Sequence, residues 1–309
     1  MLESEFRLPA KDGTALFVRE WLPAEKPRAV VQIVHGMAEH SARYARLAEA
    51  LTQHGYAAYA DDHRGHGKTV ASPEQLGHFG DEDSWQLAVE DQLTLAEEIK
   101  SRHPGVPVVA LGHSMGSFLV RSALLKRPSE WTALVLSGTG HSLPAVQRLN
   151  RLTPRLERAR LGKRGKSWLI RKFSFDAFNA KFDKPRTNAD WLSRDAAEVD
   201  KYVADPLCGF ECSVQLWYDM FGGLAQIFSD AALRKLPRDL PIYVMSGARD
   251  PVGGDLSEIR KLHTGLQKAG LRNVTVRAYP EARHELFNEL NRDEVTRELI
   301  AWLNQQLAG

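Results

Sequence analysis

The sequence predicts an α/β fold in which a mostly parallel central sheet is flanked by helices. Continuous apolar runs, such as residues 29–34, are typical of strands buried on both faces of a sheet. Helical patterns alternate with these runs at regular spacing, which favours parallel strands. The chain has 309 residues, of which 43% are hydrophobic and 26% charged, so its length and composition fit one large globular α/β domain.

The elements follow one another in a simple order. Residues 1–22 alternate around a turn at Asp12-Gly13 and predict a β-hairpin. The strand at 29–34 comes next, followed by a helix with Ser41 as its expected N-cap and Gly55 as its stop. The remaining core elements are predicted as strands at 56–60, 106–111, 133–136, 241–247 and 274–279, and helices at 84–100, 115–126, 256–269 and 286–307.

This alternation stops after Gly140. Residues 141–205 contain helical fragments, basic residues and aromatics, but no run typical of a buried strand. A stretch of about 65 residues is too long for a simple connection. We therefore expect a helical cap (lid) at residues 141–205, inserted into an α/β core of residues 1–140 and 206–309.

Composition excludes several classes of protein. The net charge of +2 gives no sign of a nucleic-acid partner. Two cysteines, Cys208 and Cys212, are too few for a disulfide framework or a four-ligand zinc site. The first residues do not show the pattern of a signal peptide, and no stretch approaches the ~20 apolar residues that cross a membrane. We expect a soluble, cytoplasmic protein.

The motif Gly112-His113-Ser114-Met115-Gly116 lies between a predicted strand and a predicted helix. It matches G-x-S-x-G, in which the serine occupies a tight, strained turn and glycines make room for it. A serine at such a junction is otherwise an N-cap. The context favours Ser114 as a nucleophile.

A serine nucleophile needs a base and a carboxylate that orients the base. Asp250 and His284 each follow a predicted parallel strand of the second half, at the sheet edge where α/β proteins bind ligands. Along the chain, Ser114, Asp250 and His284 follow the order Ser, Asp, His that accompanies a serine in a G-x-S-x-G turn. Asp255 and Glu258 are nearby alternatives to Asp250, but both fit the first turn of the next helix.

Attack of a serine on an acyl group would also require hydrogen-bond donors for the oxyanion. The backbone N–H of Met115, directly after Ser114, is one candidate. The second is expected in the loop after the third strand, where the N–H of Met37 is the candidate. His35 precedes the serine in the chain and is expected to shape this loop.

Several separated motifs together resemble the α/β-hydrolase superfamily: residues 35–40 (HGMAEH), 62–67 (DHRGHG) and 112–116 (GHSMG), with the late Asp250 and His284. Within it the chain resembles the monoacylglycerol lipase and lysophospholipase branch, grouped with serine aminopeptidase-like hydrolases. The resemblance implies a triad of the serine in the third motif with Asp250 and His284, and an oxyanion hole formed by the two methionine amides. It also implies a cap after the sixth strand and no metal or organic cofactor.

The resemblance extends to residues that bind the alcohol. Family members that cleave monoacylglycerols use a glutamate and an arginine after the oxyanion loop, and Glu39 and Arg43 match them. A surface ion pair near a helix start is the alternative. Phe287 occupies the position where the animal monoacylglycerol lipases have a polar residue, which is a departure from the glycerol-binding pattern of the family.

The function expected from these residues is a serine carboxylester hydrolase that acts through an acyl-enzyme on lipid-like monoesters, monoacylglycerols or lysophospholipids. A broad short-chain carboxylesterase and a non-catalytic ligand-binding protein are the alternatives. The partner is a small-molecule ester, and no nucleic acid is expected. Residues 148–172, basic and leucine-rich, predict either peripheral membrane contact through the cap or a solvated helix face.

Overall fold

The core of the molecule is one mixed β-sheet, seen in a computed structural model that describes residues 1–307. Within these residues the sheet has eight strands in the order β1-β2-β4-β3-β5-β6-β7-β8. Strand β2 is antiparallel to both of its neighbours, and β3 to β8 run parallel. The strands are Leu2–Pro9 (β1), Ala15–Leu22 (β2), Ala29–Val34 (β3), Tyr56–Asp62 (β4), Val108–His113 (β5), Ala133–Ser137 (β6), Ile242–Gly247 (β7) and Val274–Tyr279 (β8).

Helices cover both faces of this sheet and confirm the predicted α/β class. Leu47 and Leu303 belong to the apolar core on one face, whereas Leu93, Leu119 and Leu262 belong to the core on the other. The helices are Ala45–Gln53 (α1), Ser84–Arg102 (α2), Met115–Lys126 (α3), Pro144–Asn150 (α4), Leu152–Leu161 (α5), Trp168–Phe173 (α6), Phe175–Asn179 (α7), Ala196–Ala204 (α8), Val214–Ile227 (α9), Asp230–Leu233 (α10), Ser257–Lys268 (α11) and Arg292–Gln306 (α12).

Two predicted helix starts were wrong. Ser41 begins a short 3₁₀ turn rather than capping α1: its backbone N–H donates to the Asp62 carboxylate at 2.7 Å, and within residues 1–307 its hydroxyl has no hydrogen-bond partner. The helix predicted at 286–307 is divided into a 3₁₀ turn and α12. The buried Glu289 carboxylate accepts the N–H groups of Leu290 and Arg283 at 3.0 and 2.7 Å, so side-chain bonds replace helical ones there.

The long connection between β6 and β7 carries helices α4 to α10. Helix α9 packs against α3 and α2 of the core and also against α4 and α5. The division into a core of 1–140 and 206–309 and a cap of 141–205 stays a prediction, and residues 308 and 309 lie outside the described residues. No helix within residues 1–307 is long and apolar enough to cross a bilayer.

Candidate active site

Ser114 occupies the turn between β5 and α3. Its backbone has φ 50° and ψ −120°, a conformation that non-glycine residues rarely adopt. A Cβ on Gly116 would overlap the carbonyl oxygen of Val34, so only glycine lets α3 begin so close to β3. The N–H of Ser114 donates to the Ser137 carbonyl at 2.9 Å, which ties the turn to the end of β6.

Asp250 and His284 form a buried pair at the same edge of the sheet. The His284 Nδ1 and Asp250 Oδ1 atoms are 3.0 Å apart, and the two side chains are 2% and 0% exposed. The Val252 N–H also donates to Asp250 Oδ1 at 2.9 Å. The His284 ring also lies close to the Trp191 ring, with 4.8 Å between the two ring centroids. The carboxylate is therefore positioned to orient the imidazole.

The His284 ring also lies near the turn that holds Ser114. Gly138, the residue after β6, has a φ of 58°, and a Cβ built on it would stand 2.9 Å from the His284 Cε1 atom. Within residues 1–307 the Ser114 hydroxyl makes no hydrogen bond to the His284 ring. Such contacts are often loose in enzymes without substrate. The three side chains of the predicted triad thus follow the carboxyl ends of β5, β7 and β8, at one edge of the sheet.

Charge around His284 changes its proton affinity. Burial is the largest single influence and lowers the pKa of this imidazole, but the Asp250 carboxylate, together with the nearby Glu285 and Glu39, raises the pKa above its ordinary value of about 6.5. The adjacent His113 differs, because burial and the neighbouring His284 lower the pKa of His113 to about 4. Of these two histidines, His284 is the better proton acceptor.

The loop after β3 presents the Met37 amide. Gly36 N–H donates to Glu39 Oε1 at 2.5 Å, and Ala38 N–H donates to the His66 Nε2 atom at 3.1 Å. The amide between them, that of Met37, has no hydrogen-bond acceptor among residues 1–307, and the same holds for Met115 at the start of α3. Both predicted oxyanion donors are therefore free to bind a ligand oxygen.

Glu39 and Arg43 belong to a buried ion-pair network, which contradicts the alternative of a surface pair. Their side chains are 4% and 11% exposed. Arg43 contacts Glu39 at 2.8 Å and binds both oxygens of Glu285 at 2.5 and 2.6 Å. Burial opposes the charge on Glu285, but the Arg43 guanidinium outweighs it and lowers the pKa of this carboxyl. Within residues 1–307 neither Glu39 nor Arg43 lines the cavity beside Ser114, so their contacts fit a positioning role.

Sequence reasoning gave Glu285 no role. Its position next to His284 was the only available signal, because its partner Arg43 lies 242 residues earlier in the chain. The network connects the loop of Met37 to the loop of His284. Breaking a buried pair leaves an uncompensated charge, which costs on the order of 3–5 kcal/mol.

A cavity of about 370 Å³ opens beside Ser114, Met37 and Met115. The structure shows which aromatic residues between Trp168 and Phe221 line this cavity. Six of them line the cavity: Phe173, Phe175, Phe178, Trp191, Trp217 and Phe221. Trp168 is 62% exposed, and Phe182 lies under the Arg283 guanidinium. The cavity wall is therefore mostly apolar, and its aromatic side chains come largely from the predicted cap and α9.

One group of potential metal ligands occurs within residues 1–307, formed by His40, Asp205 and Cys208. Their ligand atoms all lie within 4.8 Å of one another. Cys208 and Cys212 are buried, unpaired thiols in the non-helical stretch before α9. The group adjoins the loop of Met37, outside the cavity.

The fold and the site define a class of protein. A mostly parallel sheet, a serine on a strained strand–helix turn and a histidine–carboxylate pair after later strands are the features of α/β hydrolases. The family model described as "Serine aminopeptidase, S33" matches residues 25–291. The chain belongs to this family.

Similar proteins are lipases and esterases. The chain is 30% identical to a monoacylglycerol lipase of Mycolicibacterium smegmatis, over 98% of each chain. It is 27% identical to the human monoglyceride lipase, over 96% of this chain and 89% of the relative. Among solved structures, a thermostable carboxyl esterase from Bacillus coagulans in complex with glycerol matches with a TM-score of 0.90 and 28% identity, over 99% of both chains. The chain is an ester hydrolase of the α/β-hydrolase fold.

Proposed function

We propose that this protein is a serine carboxylester hydrolase that forms an acyl-enzyme with lipid-like monoesters, either monoacylglycerols or lysophospholipids. The observation that carries the proposal is the buried Asp250–His284 pair beside the strained turn of Ser114, at the wall of an aromatic cavity. The monoacylglycerol lipases among the relatives support the substrate class.

In the first half of the proposed reaction, the Ser114 hydroxyl attacks the ester carbonyl carbon while His284 accepts the hydroxyl proton. Asp250 holds the imidazole with its Nδ1–H toward the carboxylate, so the other ring nitrogen is the proton acceptor. The carbonyl oxygen gains negative charge and is stabilised by the Met37 and Met115 N–H groups. The intermediate then collapses, the alcohol leaves with the proton from His284, and the acyl group stays on Ser114.

In the second half, a water molecule takes the place of the alcohol. His284 accepts a proton from this water as its oxygen attacks the acyl carbon, and the same two amides bind the oxyanion. Collapse of this intermediate releases the carboxylic acid and returns the proton to Ser114. No group other than the side chains and amides named here is required.

The cavity supports an acyl chain as the larger part of the substrate. Its volume of about 370 Å³ falls within the range of small-molecule sites, which are mostly apolar with a few placed polar groups. Aromatic side chains such as Phe178 and Trp217 offer a wide apolar surface next to Ser114.

Initial rates on a panel of esters test the proposed substrate class. The panel contains monoacylglycerols, lysophosphatidylcholine and p-nitrophenyl esters from acetate to palmitate. We expect kcat/KM to be highest for a medium-chain monoester and at least tenfold lower for the acetate, because the aromatic wall binds the chain. A maximum at the acetate would favour the short-chain carboxylesterase instead. Saturable binding of the esters without turnover would favour the non-catalytic reading.

We further propose that the outer face of α4 to α6 contacts an anionic lipid surface. This face exposes large apolar side chains between basic ones: Leu143, Val146, Leu149, Leu152, Leu156, Trp168 and Phe173, each at least 42% exposed. Val146 and Phe173 also line the cavity, so a lipid surface here would adjoin the entrance. In the cytoplasmic location that the sequence predicts, the anionic inner leaflet would attract the exposed Arg148 and Arg155.

Sedimentation with vesicles tests this contact. For a Leu149→Ser/Leu156→Ser variant we expect at least tenfold weaker binding to vesicles of phosphatidylcholine with phosphatidylglycerol, because two exposed apolar side chains are lost. Turnover of a short soluble ester should stay unchanged. Leu290→Ser is the matched control, since Leu290 is 62% exposed on another part of the surface. Equal vesicle binding by all three proteins would contradict the proposal.

A further inference from the structure

Three side chains of metal-binding type meet where the end of the predicted cap touches the loop of Met37. His40 belongs to that loop, while Asp205 and Cys208 lie in the turn after α8. The His40 Nε2 and Asp205 Oδ2 atoms are 2.9 Å apart, and the sulfur of Cys208 completes a set in which all ligand atoms lie within 4.8 Å. The proposed reaction uses none of these three side chains.

The turn that carries two of them is well ordered by its own hydrogen bonds. Asp205 Oδ1 accepts the N–H of Leu207 at 2.8 Å, and the Asp205 carbonyl accepts the N–H of Cys208 at 3.0 Å. These bonds leave Asp205 Oδ2 directed at His40. The side chains are also sheltered, since His40 is 11% exposed, Asp205 31%, and the Cys208 residue 8%.

We propose that His40, Asp205 and Cys208 bind one zinc ion, and that zinc bound there inhibits the hydrolase. Imidazole, thiolate and carboxylate are the ligands that zinc prefers, and a thiolate disfavours calcium and magnesium. On binding, zinc displaces the thiol proton of Cys208 into solvent. With Cys208 then a thiolate and Asp205 ionised, the two negative charges balance the dication, so zinc and its three ligands carry no net charge. Three protein ligands leave the fourth position of the tetrahedron to water.

Inhibition follows from where the site lies. The Gly209 N–H, one residue after Cys208, donates to the Ala38 carbonyl at 2.9 Å, and His40 follows Glu39, which holds the Gly36 N–H. Tetrahedral zinc with bonds of about 2.0 Å keeps nitrogen and oxygen ligands roughly 3.3 Å apart. The pair of His40 and Asp205, at 2.9 Å, must therefore separate slightly while the sulfur approaches.

Such a shift acts on the oxyanion site. Met37 lies between the two anchored residues of the loop, and its N–H must reach 2.7–3.1 Å from the oxyanion to stabilise it. A displacement of a few tenths of an ångström at His40 is enough to lengthen that bond. The inhibition rests on the proposed serine-hydrolase function, whereas zinc binding itself does not.

Zinc binding is measured directly on the 309-residue protein by calorimetry with Zn²⁺. We expect one Zn²⁺ per chain, bound at least tenfold more weakly by Cys208→Ala and by Asp205→Asn. Cys212→Ala is the matched control, because Cys212 is also a buried free thiol but lies outside the group. Substitution of Co²⁺ should give a thiolate-to-cobalt absorption band in wild type and Cys212→Ala that is absent in Cys208→Ala.

Inhibition is measured as the rate of p-nitrophenyl butyrate hydrolysis with Zn²⁺ divided by the rate with a chelator. This ratio should fall as the occupancy found by calorimetry rises. The Zn²⁺ concentration that gives half of the inhibition should be at least tenfold higher for Cys208→Ala than for wild type. Absence of Zn²⁺ binding by wild type, or equal binding by Cys208→Ala, Asp205→Asn and wild type, overturns the site. Full occupancy without loss of rate overturns the inhibition. Absence of turnover in every sample would count against the proposed function alone, because the calorimetry and the cobalt band would still decide the site.

Discussion

Replacing Ser114 by alanine is expected to lower kcat for p-nitrophenyl ester hydrolysis by about 10³-fold or more. The variant keeps the turn between β5 and α3 but loses the only atom proposed to bond to the acyl group. Alanine is small enough for this turn, so we expect the fold to stay intact. The comparison requires initial rates at saturating ester, together with circular dichroism spectra of both proteins.

Ser117→Ala provides the control for Ser114→Ala. Ser117 lies one turn further along α3, buried, and its hydroxyl bonds to the Ser114 carbonyl and to Thr139 rather than to a substrate. It should retain kcat within about tenfold, because only one or two ordinary hydrogen bonds are lost. A fluorophosphonate probe should label wild type and Ser117→Ala but not Ser114→Ala. Undiminished hydrolysis by Ser114→Ala would disprove the nucleophile assignment.

Asp250→Asn is expected to reduce kcat by about 10³- to 10⁴-fold, because an amide no longer holds His284 in the required tautomer. The pH profile of kcat/KM should change as well. The reaction needs neutral His284, whose pKa lies above its ordinary value, so wild-type activity declines as pH falls through that raised pKa. Without the Asp250 carboxylate, burial dominates and lowers the pKa of His284, so the acid limb should move to lower pH.

Asp255→Asn is the matched control for this effect. Asp255 lies just before α11, is exposed, and pairs with Lys181 at 3.3 Å, so its loss should leave both kcat and the acid limb close to wild type. Rates from about pH 5 to pH 9 for the three proteins give the comparison. An acid limb that stays in place in Asp250→Asn would mean that the carboxylate does not act on His284.

The strand ends were the most predictable part of the site. Helix α3 and strand β8 have the predicted bounds, and a buried run followed by a turn was enough to bring Asp250 and His284 to one edge of the sheet. Parallel strands place their carboxyl ends together, so local patterns determine which residues become neighbours. The pairing at 3.0 Å agrees with that expectation, while the catalytic roles remain proposals.

Interactions that depend on distant residues were not predictable. Arg43 was expected either to hold a substrate or to form a surface pair with Glu39, and its ion pair with Glu285 in the loop after β8 was not expected. The break before α12 depends on the buried Glu289 carboxylate, and helical periodicity carries no information about such a side chain. Tertiary packing determines which aromatic residues line the cavity and which lie at the surface. The local sequence around a phenylalanine does not distinguish these two positions.

The connection between β6 and β7 is not an interchangeable module, although its sequence suggests one. The Trp191 ring lies 4.8 Å from the His284 ring, the Leu192 carbonyl accepts the N–H of Glu285 at 2.8 Å, and Arg194 contacts the Glu289 carboxylate at 2.9 Å. Residues 191–194 therefore belong structurally to the loop that carries the histidine. A chimaera made to alter chain-length selectivity should therefore exchange only the part of this connection before residue 191. A graft that extends beyond residue 191 would replace the residues that position His284 as well as those that line the cavity.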